Sequence, residues 1–300
     1  MSRRTVRLAT RGSDLALRQS EFVKAKLTEF GHRVELVLIS TQGDRELRPF
    51  SQLRGQGFFT KAVQDAVLDG RADIAVHSHK DLPSAPTPGL EIAAVPKRID
   101  PRDVLLARPE VAAERASALP IEPGILVGTS SVRRQRQLLA VREDLRVGEL
   151  RGNVPTRIEK LRRNDYQAIL IAAAGIERLQ LDLSGLRVYP LPPELLVPAP
   201  AQGALALEVR RDDYELASLL TDLHDVDSYR AIAAERGLMS MLQGGCQLAL
   251  GAYAEFESGL VILRAWYEGD MVLVEHPTSE GAAMLAFEAL GRPDPARSQA

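Results

Sequence analysis

Cysteine is almost missing from this chain. Cys246 is the only one in 300 residues, so no disulfide can form within the chain and a reducing compartment fits. Long apolar runs are missing too. The longest, Ala168 to Ala174, is far too short to span a membrane. The opening MSRRTVRLATRGSD has basic residues with no apolar stretch behind them, so it is not read as a secretory signal. A large excess of one charge is absent as well. The formal net charge is −2, which argues against broad charge-driven binding to nucleic acid or anionic membrane while leaving room for a local basic pocket. No tandem repeat, low-complexity tract, helix-turn-helix segment or G-x-x-x-x-G-K-[ST] run is present, which disfavours a DNA-binding regulator and a phosphate-transferring enzyme.

What remains is an ordinary globular composition, 45% hydrophobic and 26% charged. The length exceeds one comfortable core, so two or three domains are expected. Strand and helix patterns alternate early. Val6–Ala9 reads as a strand, Leu15 to Phe30 as a helix and Val34–Ser40 as a strand. Phe59, Ala62, Val63, Ala66 and Val67 fall on one helical face, and Asp73–Val76 reads as a buried strand. After Pro83, Pro86 and Pro88 the plan restarts: strand Ile125–Val127, helix Ser131 to Val141, strand Leu145–Leu150, helix Thr156 to Arg163, strand Ala168–Ala172. Thr156 with Glu159 fits a capping box. Strands separated by helices predict parallel sheets in α/β domains. A Pro-rich stretch, Pro190 to Pro200, precedes strand Ala204–Val209. Beyond about Asp222, a helix near Tyr229 to Leu242 and strands near Leu250–Phe256 and Leu260–Tyr267 read as a smaller α+β domain. The tail after Gly291 is expected to fray.

Two stretches share a plan: a strand runs into Thr10-Arg11-Gly12-Ser13 and a helix, and another into Gly128-Thr129-Ser130-Ser131 and a helix carrying Arg133 and Arg134. Taken singly, each reads equally well as an ordinary helix cap. The arginines tip the balance. Cations in a first turn oppose the helix dipole and cost up to about 1 kcal/mol unless an anion sits there. Arg133, Arg134, Arg151 and Arg157 together point to a polyanionic ligand, and planar guanidinium forks suit carboxylates or phosphates. A doubly wound pair of α/β domains would place these loops at a cleft beside the strand ends. Arg136, Arg162 and Arg163 read as solvated surface.

Asp81 follows a buried strand within His77-Ser78-His79-Lys80-Asp81. By itself it reads as a surface ion pair with Lys80. His77, His79 and Asp81 alternate as metal ligands could, but no further convincing ligand accompanies them and no metal is expected. The histidines read as packed or hydrogen-bonded at the strand end. Cys246 after Gly244-Gly245 could be a small buried hydrophobe or a reactive thiol, and spacing does not decide.

Read in order, LATRGSDLALRQ, HSHKDLP, DPRDVLL, VGTSSVRRQRQL, LRGNVPTRIEKL, AAAGIERL, PAQGALALE and AAERGLMSMLQGGCQLALGAYAE resemble the porphobilinogen deaminase family over nearly the whole chain. The resemblance implies two periplasmic-binding-protein-like (type II) α/β domains plus a smaller C-terminal α+β domain carrying the cofactor cysteine. Residues 1–98 with 201–220 would form the first, 102–196 the second and 224–300 the third. It implies a cytoplasmic, monomeric transferase that joins four porphobilinogen molecules, with loss of ammonia, into hydroxymethylbilane. The primer would be a dipyrromethane held as a thioether by Cys246. Asp81 would be the catalytic carboxylate, stabilising the cationic stages and assisting proton transfer. Lys80, Asp81, Thr129, Ser130, Ser131, Arg133, Arg134 and Arg151 match cofactor binders. Arg11, Ser13, Arg151, Arg157, Arg178 and Gln202 match substrate binders. No nucleic acid, membrane or metal partner is implied.

The chain departs from the family pattern at Gln56, where lysine is common, at Asp14 in place of proline, and at Ala62 and Gln243 in place of glutamate. Thr41 to Gly57 reads as a lid. The main rival is a two-domain small-anion binding module, which shares the domain plan but has no use for the third domain and its Gly244-Gly245-Cys246.

Overall fold

The computed structural model describes residues 5–41, 60–113, 119–242 and 248–291. Cys246 with Gly244, Gly245 and Gln243, the segment from residue 42 to Gly57 with Gln56, Phe59, and the tail beyond Gly291 lie outside the described residues. In chain order the elements are β1 (Thr5–Arg11), α1 (Asp14–Glu29), β2 (Arg33–Ile39), α2 (Lys61–Leu68), β3 (Ile74–Ser78), β4 (Leu90–Ala94) and β5 (Asp103–Ala107). There follow β6 (Leu126–Gly128), α3 (Val132–Val141), β7 (Arg146–Gly148), α4 (Val154–Arg162), β8 (Ala168–Ala172), α5 (Ala173–Leu179) and β9 (Arg187–Leu191). The last are β10 (Leu205–Arg210), α6 (Tyr214–Leu219), α7 (Val226–Met241), β11 (Gly251–Glu257), β12 (Leu260–Tyr267), β13 (Asp270–His276) and α8 (Ser279–Ala289). The chain divides into two compact units, Met1–Ile99 with Ala204–Tyr229, and Asp100–Gly203 with Arg230–Ala300.

The first unit holds a sheet of order β2-β1-β3-β10-β4. β1 is parallel to β2 and β3, while β10 runs antiparallel to β3 and β4. The second unit repeats the plan as β7-β6-β8-β5-β9, with β6 parallel to β7 and β8, and β5 antiparallel to β8 and β9. The expectation of parallel sheets therefore needs correction: each sheet is mixed. The odd strand reaches its sheet through a long connection rather than a strand–helix–strand crossover, and so escapes the alternation rule. Both odd strands are largely apolar, with every residue of β5 and all of β10 but Arg210 buried, as strands covered on both faces require.

Alternation along the strands separates two cores per sheet. Val6 and Leu8 face Val23 and Leu27 of α1, whereas Ala9 faces Val63, Ala66 and Val67 of α2. In the second unit Leu105, Val127 and Leu170 meet Leu138 of α3, whereas Leu106, Ile169 and Ile171 meet Ile158 and Leu161 of α4. α4 starts two residues before the expected Thr156. Its N-cap is Asn153, whose Oδ1 accepts from the Thr156 N–H at 2.9 Å, with Pro155 in the first turn. Asparagine is a stronger cap than threonine, and proline suits that position.

The remainder of the second unit is a three-stranded antiparallel sheet, β11-β12-β13, covered by alanine-rich faces of α7 and α8. β13 and α8 lie beyond what the sequence patterns predict. Among the described residues no helix is long and apolar enough to cross a membrane. Gly251 opens β11 where a Cβ would lie 2.7 Å from both Cβ and O of Val197 and 2.9 Å from Nε2 of Gln137. Backbone cannot yield there as a flexible side chain would. Gly251→Ala is expected to cost about 1–3 kcal/mol, read as a lowered urea midpoint; an unchanged midpoint would show that the Val197 segment gives way freely.

Candidate functional site

In the first unit the residues of interest gather where adjacent parallel strands end. β1 closes on Arg11, and Ser13 caps α1 by accepting from the Ala16 N–H at 3.4 Å. Its neighbour β3 ends at Ser78, whose Oγ accepts from Nε2 of Gln19 at 2.6 Å, tying the strand end to α1. A short 3-10 turn, His79–Asp81, follows, anchored by the His79 N–H on Ala204 O at 3.0 Å. Because β1 and β3 are paired in parallel, Arg11, Ser13, Lys80 and Asp81 leave the same edge of the sheet. Lys80 and Asp81 are half-buried, and the Asp81 carboxylate engages no hydrogen-bond or ion-pair partner among the described residues. Gly12, Ser13, Leu38, Ile39 and Ser40 line a cavity of about 450 Å3 at this edge. His77 lies below it, buried, with Nε2 3.0 Å from Oε2 of Glu208, an oxygen that also accepts from Nε2 of Gln64 at 2.9 Å. The strand-end histidine thus lies beside a buried carboxylate without a well-angled hydrogen bond to it.

In the second unit the corresponding strand end is β6. The Thr129 N–H donates to Gly148 O at 2.9 Å, the Ser130 hydroxyl to Leu150 O at 2.5 Å, and Ser131 caps α3 by accepting from the Arg134 N–H at 3.4 Å. Arg133 and Arg134 then turn inward; they are only 4% and 6% exposed. Both meet Asp103, the first residue of β5, which is fully buried. Arg134 donates from Nε and Nη2 to Oδ1 at 3.1 and 2.6 Å and from Nη1 to Leu170 O at 3.0 Å. Arg133 donates from Nη1 to Val197 O at 2.6 Å, and its Nη2 stands 2.7 Å from Oδ2 in a contact that is ionic rather than a well-angled hydrogen bond. Gln202, also buried, donates from Nε2 to Asp103 Oδ1 and to Pro101 O, both at 2.8 Å. Burial opposes ionisation of Asp103 most strongly, but the charges of Arg133 and Arg134 and the hydrogen bonds from Arg134 and Gln202 outweigh it. The carboxyl is held well below its ordinary 3.8.

The basic first turn of α3 therefore meets an anion from the chain itself. Sequence reasoning missed Asp103. The available signal was a lone carboxylate opening the apolar run D-V-L-L-A, a position that cannot be buried without a cationic partner.

Further cations lie on neighbouring elements of the unit, and the charge of Arg157 interacts with that of Arg134. Arg157 in the first turn of α4 donates from Nε to Gly152 O at 2.8 Å, and Lys160 reaches Arg151 O at 3.1 Å. Arg151 is 3.9 Å from Glu149. Burial, then the like charges of Arg134 and Arg151, push Arg157 down to about 10. Arg178 in α5 donates from Nη2 to Gly203 O at 2.9 Å, and burial, partly offset by Glu177, lowers it to about 10 as well. Both guanidiniums are lowered first by burial, and like charges add to that only at Arg157.

Each of the two α/β units presents hydroxyls and an arginine where a strand runs into a helix. A family model described as "Porphobilinogen deaminase, dipyromethane cofactor binding domain" matches residues 6–218. The porphobilinogen deaminase of Syntrophobacter fumaroxidans is 43% identical over 266 residues, covering 88% of this chain and 84% of that one. The porphobilinogen deaminase of Mycobacterium marinum is 47% identical over 251 residues, covering 83% and 77%. Among solved structures the chain is similar to an ancestral cationic amino acid solute binding protein, with TM-score 0.46 and 13% identity over 73% of this chain and 87% of that one. The chain belongs to the porphobilinogen deaminase family.

Asp103 generates a prediction about acid. A carboxyl depressed in the folded state contributes stability in full above its unfolded value, and that contribution is lost as pH falls through the folded value. Asp103→Asn leaves two buried guanidiniums short of a counter-ion and is expected to cost about 3–5 kcal/mol at neutral pH. Its urea midpoint should also lose part of the acid dependence that the unaltered chain shows below pH about 4. An Asp103→Asn variant with unaltered midpoint and acid profile would remove Asp103 as the counter-ion.

Proposed function

We propose that this chain polymerises four porphobilinogen molecules, with loss of ammonia, into the linear tetrapyrrole hydroxymethylbilane, on a dipyrromethane joined to Cys246 through a thioether. The observation that carries the reading is the family match over residues 6–218, in a chain where the like charges of Arg134 and Arg151 add to the burial that lowers Arg157. A pyrrole chain bearing acetate and propionate groups is a flexible polycarboxylate and relieves that repulsion. When bound, the dipyrromethane supplies the free pyrrole α-carbon from which the chain grows.

The protein's own groups divide the work. Asp81 sits half-buried on its turn with its carboxylate unengaged among the described residues. As ammonia leaves porphobilinogen, positive charge develops at the pyrrole nitrogen. A fixed carboxylate there stabilises that charge and can take up the proton lost after carbon–carbon bond formation. Arg11 and Ser13, on the same sheet edge, bind the carboxylates of the incoming substrate, and Lys80 binds a carboxylate of the primer. Thr129, Ser130, Ser131, Arg133, Arg134 and Arg151 hold the primer. Arg151, Arg157, Arg178 and Gln202 serve the substrate-derived part of the chain. Binding of a carboxylate would raise Arg157 back toward the ordinary guanidinium value, so ligand affinity should weaken as pH rises through about 10.

We read the chain as three domains, residues 1–98 with 201–220, 102–196 and 224–300. Support comes from the three sheets, each with its own core residues. A cytoplasmic monomer completes the reading.

The first test is the intact mass of the denatured protein. The unaltered chain should carry an added mass equal to two linked pyrrole units, and Cys246→Ser should not. A chain that gains no such mass even after incubation with porphobilinogen or preformed hydroxymethylbilane would point instead to a small-anion binding module. Asp81→Ala should keep its circular dichroism and lower the rate of porphobilinogen consumption by at least about 100-fold; a normal rate would take Asp81 out of the chemistry.

A further inference from the structure

The loop that carries Arg151 is held by its own carbonyl groups. Gly148 O accepts from the Thr129 N–H at 2.9 Å, and Glu149 O accepts from the Tyr166 hydroxyl. Leu150 O accepts from the Ser130 hydroxyl at 2.5 Å, Arg151 O from Nζ of Lys160 at 3.1 Å and Gly152 O from Nε of Arg157 at 2.8 Å. Five consecutive carbonyls are thus claimed, and four of the five donors are side chains. The donors come from the Thr129-Ser130 strand end, from α4 and from the turn before β8. The path of the loop is therefore written in particular residues rather than in strand or helix ladders.

Tyr166 and Lys160 are the two donors with no part in holding primer or substrate. The peptide planes that flank the Cα of Arg151 carry Leu150 O and Arg151 O, so the bonds from Ser130 and Lys160 fix the direction in which its side chain leaves the backbone. The plane before them carries Glu149 O, which Tyr166 holds. Tyr166 is itself seated on glycines. A Cβ on Gly128 would lie 2.8 Å from Cδ1 of the ring, and one on Gly148 would lie 3.0 Å from Cε1. The ring thus covers the ends of β6 and β7, where glycine leaves room for it. Burial, then the charges of Asp165 and Glu149, raise the Tyr166 hydroxyl above its ordinary 10.0, so the donor keeps its proton at neutral pH.

We propose that Tyr166 and Lys160 are positioning residues of this reaction: by holding Glu149 O and Arg151 O they set the direction of the Arg151 guanidinium before a carboxylate-bearing ligand arrives. The inference rests on the proposed function, in which Arg151 meets both the primer and the substrate-derived chain. An arginine on an unheld loop gives up backbone and side-chain freedom each time it binds. Here the backbone part of that loss is met on folding, through bonds that touch no ligand.

The test separates positioning from packing. Tyr166→Phe keeps the ring on both glycines and loses the hydroxyl; Lys160→Met keeps the stem and loses the donors. In each full-length variant, amide hydrogen exchange over residues 149–153 should quicken about threefold or more, and a urea midpoint confirms the fold. The KM for porphobilinogen, measured per primed molecule as counted by intact mass, should rise about threefold or more. The kcat should stay within about twofold, the mark of binding lost equally from ground and transition states. Arg151→Lys supplies a second background. A point charge on a flexible stem depends less on the direction of its backbone, so Tyr166→Phe should raise KM there by less than about 1.5-fold. An unchanged KM in either folded variant, whatever its midpoint, overturns the proposal for that residue. A KM rise that carries over in full into Arg151→Lys overturns the route through Arg151. Failure of the unaltered chain to gain the primer mass would instead reject the proposed function, with the exchange rates still reporting whether the loop is clamped.

Discussion

The second unit is organised around one carboxylate placed where water cannot reach it. Asp103 begins a fully buried strand, and an unpaired ion there would cost several kcal/mol. That constraint pulls Arg133 and Arg134 inward from the first turn of α3. It directs the side chain of Gln202 and, through Ala201 and Glu235, ties the cluster to β11. Apolar packing in the two cores of the sheet is non-directional and tolerates exchange among similar side chains. The ion cluster does not, because each bond has one partner and one geometry.

The first unit solves a different problem. Its polar strand end is left half-open, with Gln64 donating to Glu208, the buried His77 ring beside that carboxylate, and Asp81 unengaged among the described residues. In the proposed function Asp81 responds to charge appearing on the ligand, a task suited to a carboxylate without a permanent counter-ion. Two acids in one chain thus stand in opposite environments: Asp103 is buried between two guanidiniums, whereas Asp81 engages no partner among the described residues.

Much of this is legible in the residues. Period-two and period-3.6 patterning locates β1, β3, β8, β12 and most helices, because one face of each is plainly apolar. The paired strand–loop–helix plan comes from hydroxyl and arginine positions around Ser13 and Ser131. β5 and β10 cannot be assigned to antiparallel places, since a strand covered on both faces carries no sign of its direction. The start of α4 falls earlier than its capping pattern suggests because Asn153 and Pro155 outweigh Thr156 as initiators. The inward turn of Arg133 and Arg134 is hidden for a more basic reason: Arg134 finds its partner 31 residues away, and local spacing does not report long-range charge pairing. β13 escapes a pattern search where exposed Met271 and Leu273 blur the alternation.

The mixed sheets also bear on how the chain comes into being. β10 lies between β3 and β4, yet it follows both by more than a hundred residues. While the chain is being made from its N-terminus, β4 has no neighbour in its sheet and the edge of β3 stays open until Leu205–Arg210 leave the ribosome. The sheet of the second unit has all five of its strands by Leu191. The later half of the topology can therefore close before the earlier half. The N-terminal unit is the last of the two five-stranded sheets to mature and the one that exposes an aggregation-prone edge during synthesis.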